Sequence, residues 1–107
     1  MAYQYPFKDA EEKLKLTVWK LGKEVPNLDS KIWRKDKCGK LIKYSDHGDR
    51  DSKYGWEIDH IIPIAKNGTD DVKNLQPLHW ENNVKKGDTY PWLCKNIKYL
   101  IRLDKLK

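Results

Sequence analysis

In the stretch WEIDHIIPIAKNGTDDVKNLQPLHWENNVKKGD, residues 56–88, an acid stands directly before a histidine, Asp59-His60, with Asn74 fourteen residues on and Asn83 nine further. A carboxylate and an amide carbonyl are oxygen ligands of the kind a hard divalent cation prefers, and two of them leave room for water and a substrate phosphate. Imidazole titrates near ~6.5, so a histidine beside such a cation is largely neutral near pH 7 and able to take a proton from water. Lys85 and Lys86, just past Asn83, add positive charge that could hold a phosphate backbone. These parts suit phosphodiester hydrolysis, where a base activates water and a cation stabilises charge on the phosphoryl and departing oxygens. No serine or cysteine with a suitable partner offers a competing nucleophile.

The elements around these residues must bring them together. The run WEIDHIIPIAK is apolar and β-branched and is interrupted at Pro63, which predicts a strand ending in or just after Asp59-His60. NGTDD is a turn in which Asn67-Gly68 is a candidate for positive φ. VKNLQPL leads into a second short strand, and HWENNVKKG predicts a helix of two to three turns ended by Gly87. Asn83 on that helix could reach back to Asp59 if the hairpin folds over it. Upstream, IWRKD and KLIKY flank KCGK, a hairpin or tight turn closed by Gly39. Leu14, Val18 and Leu21 have helical spacing with Asp9 as N-cap, although Leu16–Trp19 would also suit a short strand. MAYQYPFK reads as an extended arm, and Leu93, Ile97, Leu100 and Ile101 predict an amphipathic C-terminal helix over about 91–105. Trp33, Trp56, Trp80 and Trp92 are most economically core.

A chain of 107 residues makes one domain with a single modest core, here residues 1–107, with an N-terminal extension over 1–30. Only 38% of the residues are hydrophobic and 36% are charged, yet five Trp and six Tyr supply large buried areas and favour a folded chain over a disordered one. A net charge of +6 points to a polyanionic partner, with nucleic acid first. Cys38 and Cys94 form no CxxC pair, and no signal-peptide pattern or membrane-spanning apolar run is present. The expectation is a reducing, intracellular (cytoplasmic) setting and no membrane, with reduced cysteines as the default and one structural disulfide left open.

At EIDHIIPIAKNGTDDVKNLQPL followed by NNVKKGD, the sequence resembles the HNH endonucleases, a family of metal-dependent nucleases with a ββα-metal fold. WRKDKCG and YSDHGDRDSKYGW extend the likeness, to small stand-alone HNH proteins, over about Trp33–Asp88. The resemblance implies an α+β domain with a core over about 54–88, in which a β-hairpin packs on a helix. It implies His60 as general base and Asp59 as metal ligand. Asn74, the middle residue of the catalytic set, would brace the loop and orient the histidine. Asn83 would be the second metal ligand, at the last position of the triad. His79 is a rival for that letter, but its spacing of five from Asn74 does not match. In zinc-bearing relatives His79 and Asn82 coincide with a Cys-x-x-Cys pair. That pair is missing here, so no structural zinc is expected.

The same reading gives one divalent cation, Mg²⁺ or Mn²⁺, and a monomer or homodimer that nicks duplex DNA with low sequence specificity. A structure-specific or RNA-directed nuclease, or a basic DNA-binding module that keeps the fold without cutting, remains an alternative. Glu57, two residues before Asp59 on the same strand face, could join the metal site or support the strand through a hydrogen bond. Arg50 could approach the scissile phosphate. His79, four residues before Asn83, could contact phosphate or support the metal ligands from behind.

Overall fold

The computed structural model describes residues 4–94. The first element is a helix, α1, over Gln4–Trp19. It takes in residues 4–8, which sequence alone assigned to an extended arm. Pro6 does not prevent this, because a proline in the first helical turn removes no hydrogen bond the helix would have made. The helical alternative for Leu16–Trp19 is the one realised, but the buried face differs from expectation. Val18 and Trp19 are buried, whereas Leu14 is exposed and Leu21 lies beyond the helix end, 52% exposed.

Two short antiparallel hairpins follow. Strands β1, Trp33–Lys35, and β2, Leu41–Lys43, pair with Arg34 opposite Ile42. Their turn is built around Asp36 and Gly39, the latter at φ +85° as a tight closure requires. Strands β3, Trp56–His60, and β4, Leu75–His79, pair with Asp59 opposite Gln76 and His60 opposite Leu75. Helix α2, Trp80–Lys86, continues directly from β4 and is closed by Gly87 at φ +51°. The order β3, loop, β4, α2 is the hairpin-and-helix core expected, within a mixed α+β chain. The predicted C-terminal helix over about 91–105 falls mainly on residues beyond those described.

The β3–β4 loop is shaped by two adjacent residues. Asn67 adopts the left-handed conformation at φ 70°. Gly68 is needed for space instead, since a Cβ there would lie 1.7 Å from the Ile62 carbonyl oxygen.

The core joins α1 to both hairpins through Val18, Trp19, Ile42, Trp56 and Leu75, with Tyr44 and Ile58 packed against it. Of the tryptophans read as core, only Trp56 is fully buried. Trp33, Trp80 and Trp92 are half-buried, whereas Trp19 is fully buried. Each buried indole keeps a partner for its N–H: Trp19 Nε1 donates to the Ser30 carbonyl at 2.9 Å and Trp56 Nε1 to that of Tyr44 at 3.2 Å.

Asp36 fastens the first hairpin to the second. It is fully buried. Its Oδ1 accepts the backbone N–H groups of Cys38 (3.0 Å) and Lys40 (2.9 Å) in its own turn. Its Oδ2 accepts the backbone N–H of His79 (3.0 Å) and the Asn82 side-chain amide (2.9 Å) at the start of α2. A buried carboxylate is tolerated because these donors satisfy it. His79 and Asn82, where zinc-bearing relatives are expected to carry a cysteine pair, are thus hydrogen-bonded to one acid.

The two cysteines correct an expectation. Cys38 and Cys94 form a disulfide, with Cα atoms 5.3 Å apart, which ties the segment after α2 to the β1–β2 turn. Among the described residues, no helix is long and apolar enough to cross a membrane.

Candidate active site

A cleft of about 370 Å³ lies between the end of β3 and one face of α2. Asp59 and His60 enter it from the strand, and Asn83 and Lys86 from the helix. The helix delivers these last two together because residues three apart share a face.

His60 is half-buried, and its Nε2 lies 2.8 Å from Asp70 Oδ1. An ionised carboxylate only accepts, so Nε2 carries the proton and the neutral ring keeps its lone pair on Nδ1. That lone pair is the one able to take a proton from water. Asp70 itself is 89% exposed, which limits the strength of the pair and makes orientation its main effect. Nothing in the sequence singles out Asp70, because Asp70 and Asp71 are adjacent acids in one turn.

Asn74 makes no hydrogen bond to His60 among the described residues. Its Oδ1 accepts the backbone N–H of Ile62 at 2.9 Å. Its Nδ2 donates to the carbonyls of Ile62 (3.0 Å) and Thr69 (2.7 Å). Its own carbonyl accepts the N–H of Ile61 at 2.7 Å. The residue therefore clamps the chain just after His60 to the turn that carries Asp70.

Asp59 is buried, with Oδ2 accepting from Gln76 Nε2 (2.9 Å) across the β3–β4 pair and Oδ1 facing Lys86 Nζ at 3.2 Å. Lys86 also donates to the His60 carbonyl at 2.8 Å and is only 2% exposed. This corrects its expected role as a surface phosphate contact. Lys85, its neighbour, is exposed as that role requires.

Glu57 lies next to the cleft as a fastening for Asn83. Its Oε1 accepts from Asn83 Nδ2 at 2.6 Å, while Arg50 grips both carboxylate oxygens at 2.6 and 2.9 Å. The Arg50 guanidinium, followed by burial in opposition and then the Asn83 amide, leaves the Glu57 carboxyl below the usual range. Since Glu57 only accepts, Asn83 must present its NH₂ there, so its carbonyl oxygen is the atom that could act as a ligand. Arg50 is committed to Glu57 but remains 55% exposed.

His79 is the clearest correction. It is completely buried and cannot contact nucleic acid. Its Nδ1 accepts the backbone N–H of Glu81 (3.0 Å), and its Nε2 donates to the Lys53 carbonyl (2.7 Å). It caps α2.

Asp59 and Asn83 could together hold a divalent cation: both offer hard oxygen atoms and both line one cleft. Among the described residues, no group of three or more His, Cys, Asp or Glu side chains is placed to bind a metal ion. Two protein ligands would therefore leave most of the coordination shell to water and phosphate oxygens.

Residues 36–89, just over half of the chain, match the family model described as HNH endonuclease. The match spans every residue of the cleft. No curated protein and no solved structure matches the chain.

Proposed function

This chain belongs to the HNH endonuclease family, and from that premise we propose that it hydrolyses phosphodiester bonds of DNA with His60 as general base. The observation that carries the reading is the convergence of His60, Asp59 and Asn83 on one cleft, with His60 held through Nε2 and its Nδ1 without a hydrogen-bond partner among the described residues. Asp59 and Asn83 would hold one divalent cation, Mg²⁺ or Mn²⁺. When bound, that ion supplies charge neutralisation at the phosphoryl and leaving oxygens. His60 removes a proton from water as the water oxygen bonds to phosphorus and the 3′ oxygen departs in line. Exposed Lys85, which does not line the cleft, would add positive charge for the DNA backbone, and Arg50, while anchoring Glu57, would do the same beside Asn83.

One site cuts one strand, so a monomer would nick duplex DNA, and double-strand breaks would need a dimer or two separate events. Binding would rest on the net charge of +6 and weaken steeply with salt, with little dependence on sequence. A second reading, a DNA-binding module that does not cut, draws on the Lys86 ammonium seated against Asp59.

Conversion of supercoiled plasmid to the nicked form, with Mg²⁺ or Mn²⁺ and with EDTA, tests the proposal. Cation-dependent nicking is expected. Cleavage that persists in EDTA would refute the cation site, and DNA binding with no cleavage under any condition would favour the second reading.

A further inference from the structure

Lys86 is a long, flexible cation that the fold has placed almost out of solvent. Its ammonium has two acceptors, Asp59 Oδ1 at 3.2 Å and the His60 carbonyl at 2.8 Å. Asp59 has its other oxygen held by Gln76. The carboxylate offered to a divalent cation is therefore already charge-balanced by a lysine from the helix that carries Asn83. Burying either charge alone would be costly, and each stabilises the other.

This arrangement has a consequence for any incoming cation. A dication approaching Asp59 must displace the ammonium from Oδ1 or sit beside it, and like charges at such separations repel strongly where water is scarce. We infer that Lys86 is a tethered counter-ion that competes with the divalent cation for Asp59, keeping cation affinity low until DNA phosphate arrives. The phosphate brings negative charge that offsets the excess positive charge, so cation and DNA each strengthen the binding of the other. Before DNA binds, Lys86 keeps Asp59 in place and satisfied. The inference rests on the cation site proposed above.

The test is Mn²⁺ binding to the DNA-free protein, followed by the electron paramagnetic resonance signal of free Mn²⁺, in wild type, Lys86→Gln, Lys86→Arg and Asp59→Ala. Lys86→Gln should bind Mn²⁺ at least about tenfold more tightly than wild type, because a positive charge next to the ligand is gone. Lys86→Arg should stay within a few-fold of wild type, and Asp59→Ala should bind more weakly. If Asp59→Ala loses binding while Lys86→Gln gains none, competition by Lys86 is refuted and the cation site stands. If Asp59→Ala binds as wild type does, the cation site fails and the competition fails with it. Should Lys86→Gln not fold, Mg²⁺ titration of the wild-type protein decides the matter through the Lys86 ammonium resonance. Displacement predicts a saturable shift that tracks Mg²⁺ binding, and an unmoved resonance overturns the inference.

Discussion

Asp70 and His60 are ten residues apart in sequence and joined by a 2.8 Å contact between Oδ1 and Nε2, across the loop that follows β3. The contact fixes which imidazole nitrogen faces the carboxylate and which is left for water. Asp70→Ala should lower the rate of DNA cleavage by up to about tenfold, the worth of one hydrogen bond at an exposed position. Asp70→Asn, which keeps an acceptor oxygen, should recover much of that loss. DNA affinity should be unchanged in both. Equal loss in the two variants, or a loss confined to DNA affinity, would remove Asp70 from the positioning of His60.

Asn74 acts one step further from the chemistry, through three side-chain hydrogen bonds to Ile62 and Thr69. Asn74→Ala frees the chain on both sides of the His60–Asp70 pair. Misplacement of a reacting group by about 1 Å can cost on the order of 100-fold in rate. A drop of that size is expected in single-turnover cleavage, with DNA binding retained.

What was legible in the sequence, and what was not, divides along physical lines. The order strand, loop, strand, helix follows from local apolar runs and turn residues, and Gly39 and Gly87 have the positive φ that their turns require. Asn74, between β3 and β4, hydrogen-bonds Ile62 and Thr69 through its side chain. The choice between neighbours was not legible. Lys85 and Lys86 look alike until α2 docks on β3 and turns one ammonium inward. Asp70 and Asp71 share a turn, and only the folded loop selects the one that meets His60. The boundary of α1 was misplaced because Pro6 signals irregular chain as readily as a first helical turn. The Cys38–Cys94 pair spans 56 residues, and spacing alone cannot reveal such a partnership. Asp36 illustrates the same limit, since its most distant partner lies 46 residues away in sequence.

Asp36 is the buried acid that joins the two hairpins, and its four hydrogen bonds identify it as a stability residue. Asp36→Asn preserves shape but removes the charge and turns one acceptor into a donor facing donors. A loss of about 3 kcal/mol is expected, in keeping with broken charged hydrogen bonds in a dry site. Urea unfolding should show a lower midpoint with an unchanged slope. A midpoint equal to wild type would mean that the two hairpins are held together without it.

Protonation of His47 should make stability fall toward acid pH. Partial desolvation of this exposed ring where it packs on Trp56, followed by the positive charge of Lys15, holds His47 below the ordinary imidazole value, while Glu12 and Glu57 pull the other way. The ring lies against Trp56 at a centroid distance of 4.7 Å. The unfolded chain then takes up this proton first as pH falls below about 6.5. The associated stability is complete above that pH and is lost as pH falls through the lower folded value. Melting temperatures of His47→Gln between pH 7.5 and 5 should fall less steeply than those of wild type. Parallel profiles would show that His47 does not contribute.

The assignment of His60 as the base is tested most directly on one preparation of His60→Ala, with nicking of supercoiled plasmid in Mn²⁺ and DNA affinity measured side by side with wild type. Loss of nicking by at least about 100-fold is predicted, as expected for removal of a general base, with DNA affinity kept within a few-fold. Nicking at the wild-type rate by the His60→Ala protein would contradict the account at its centre.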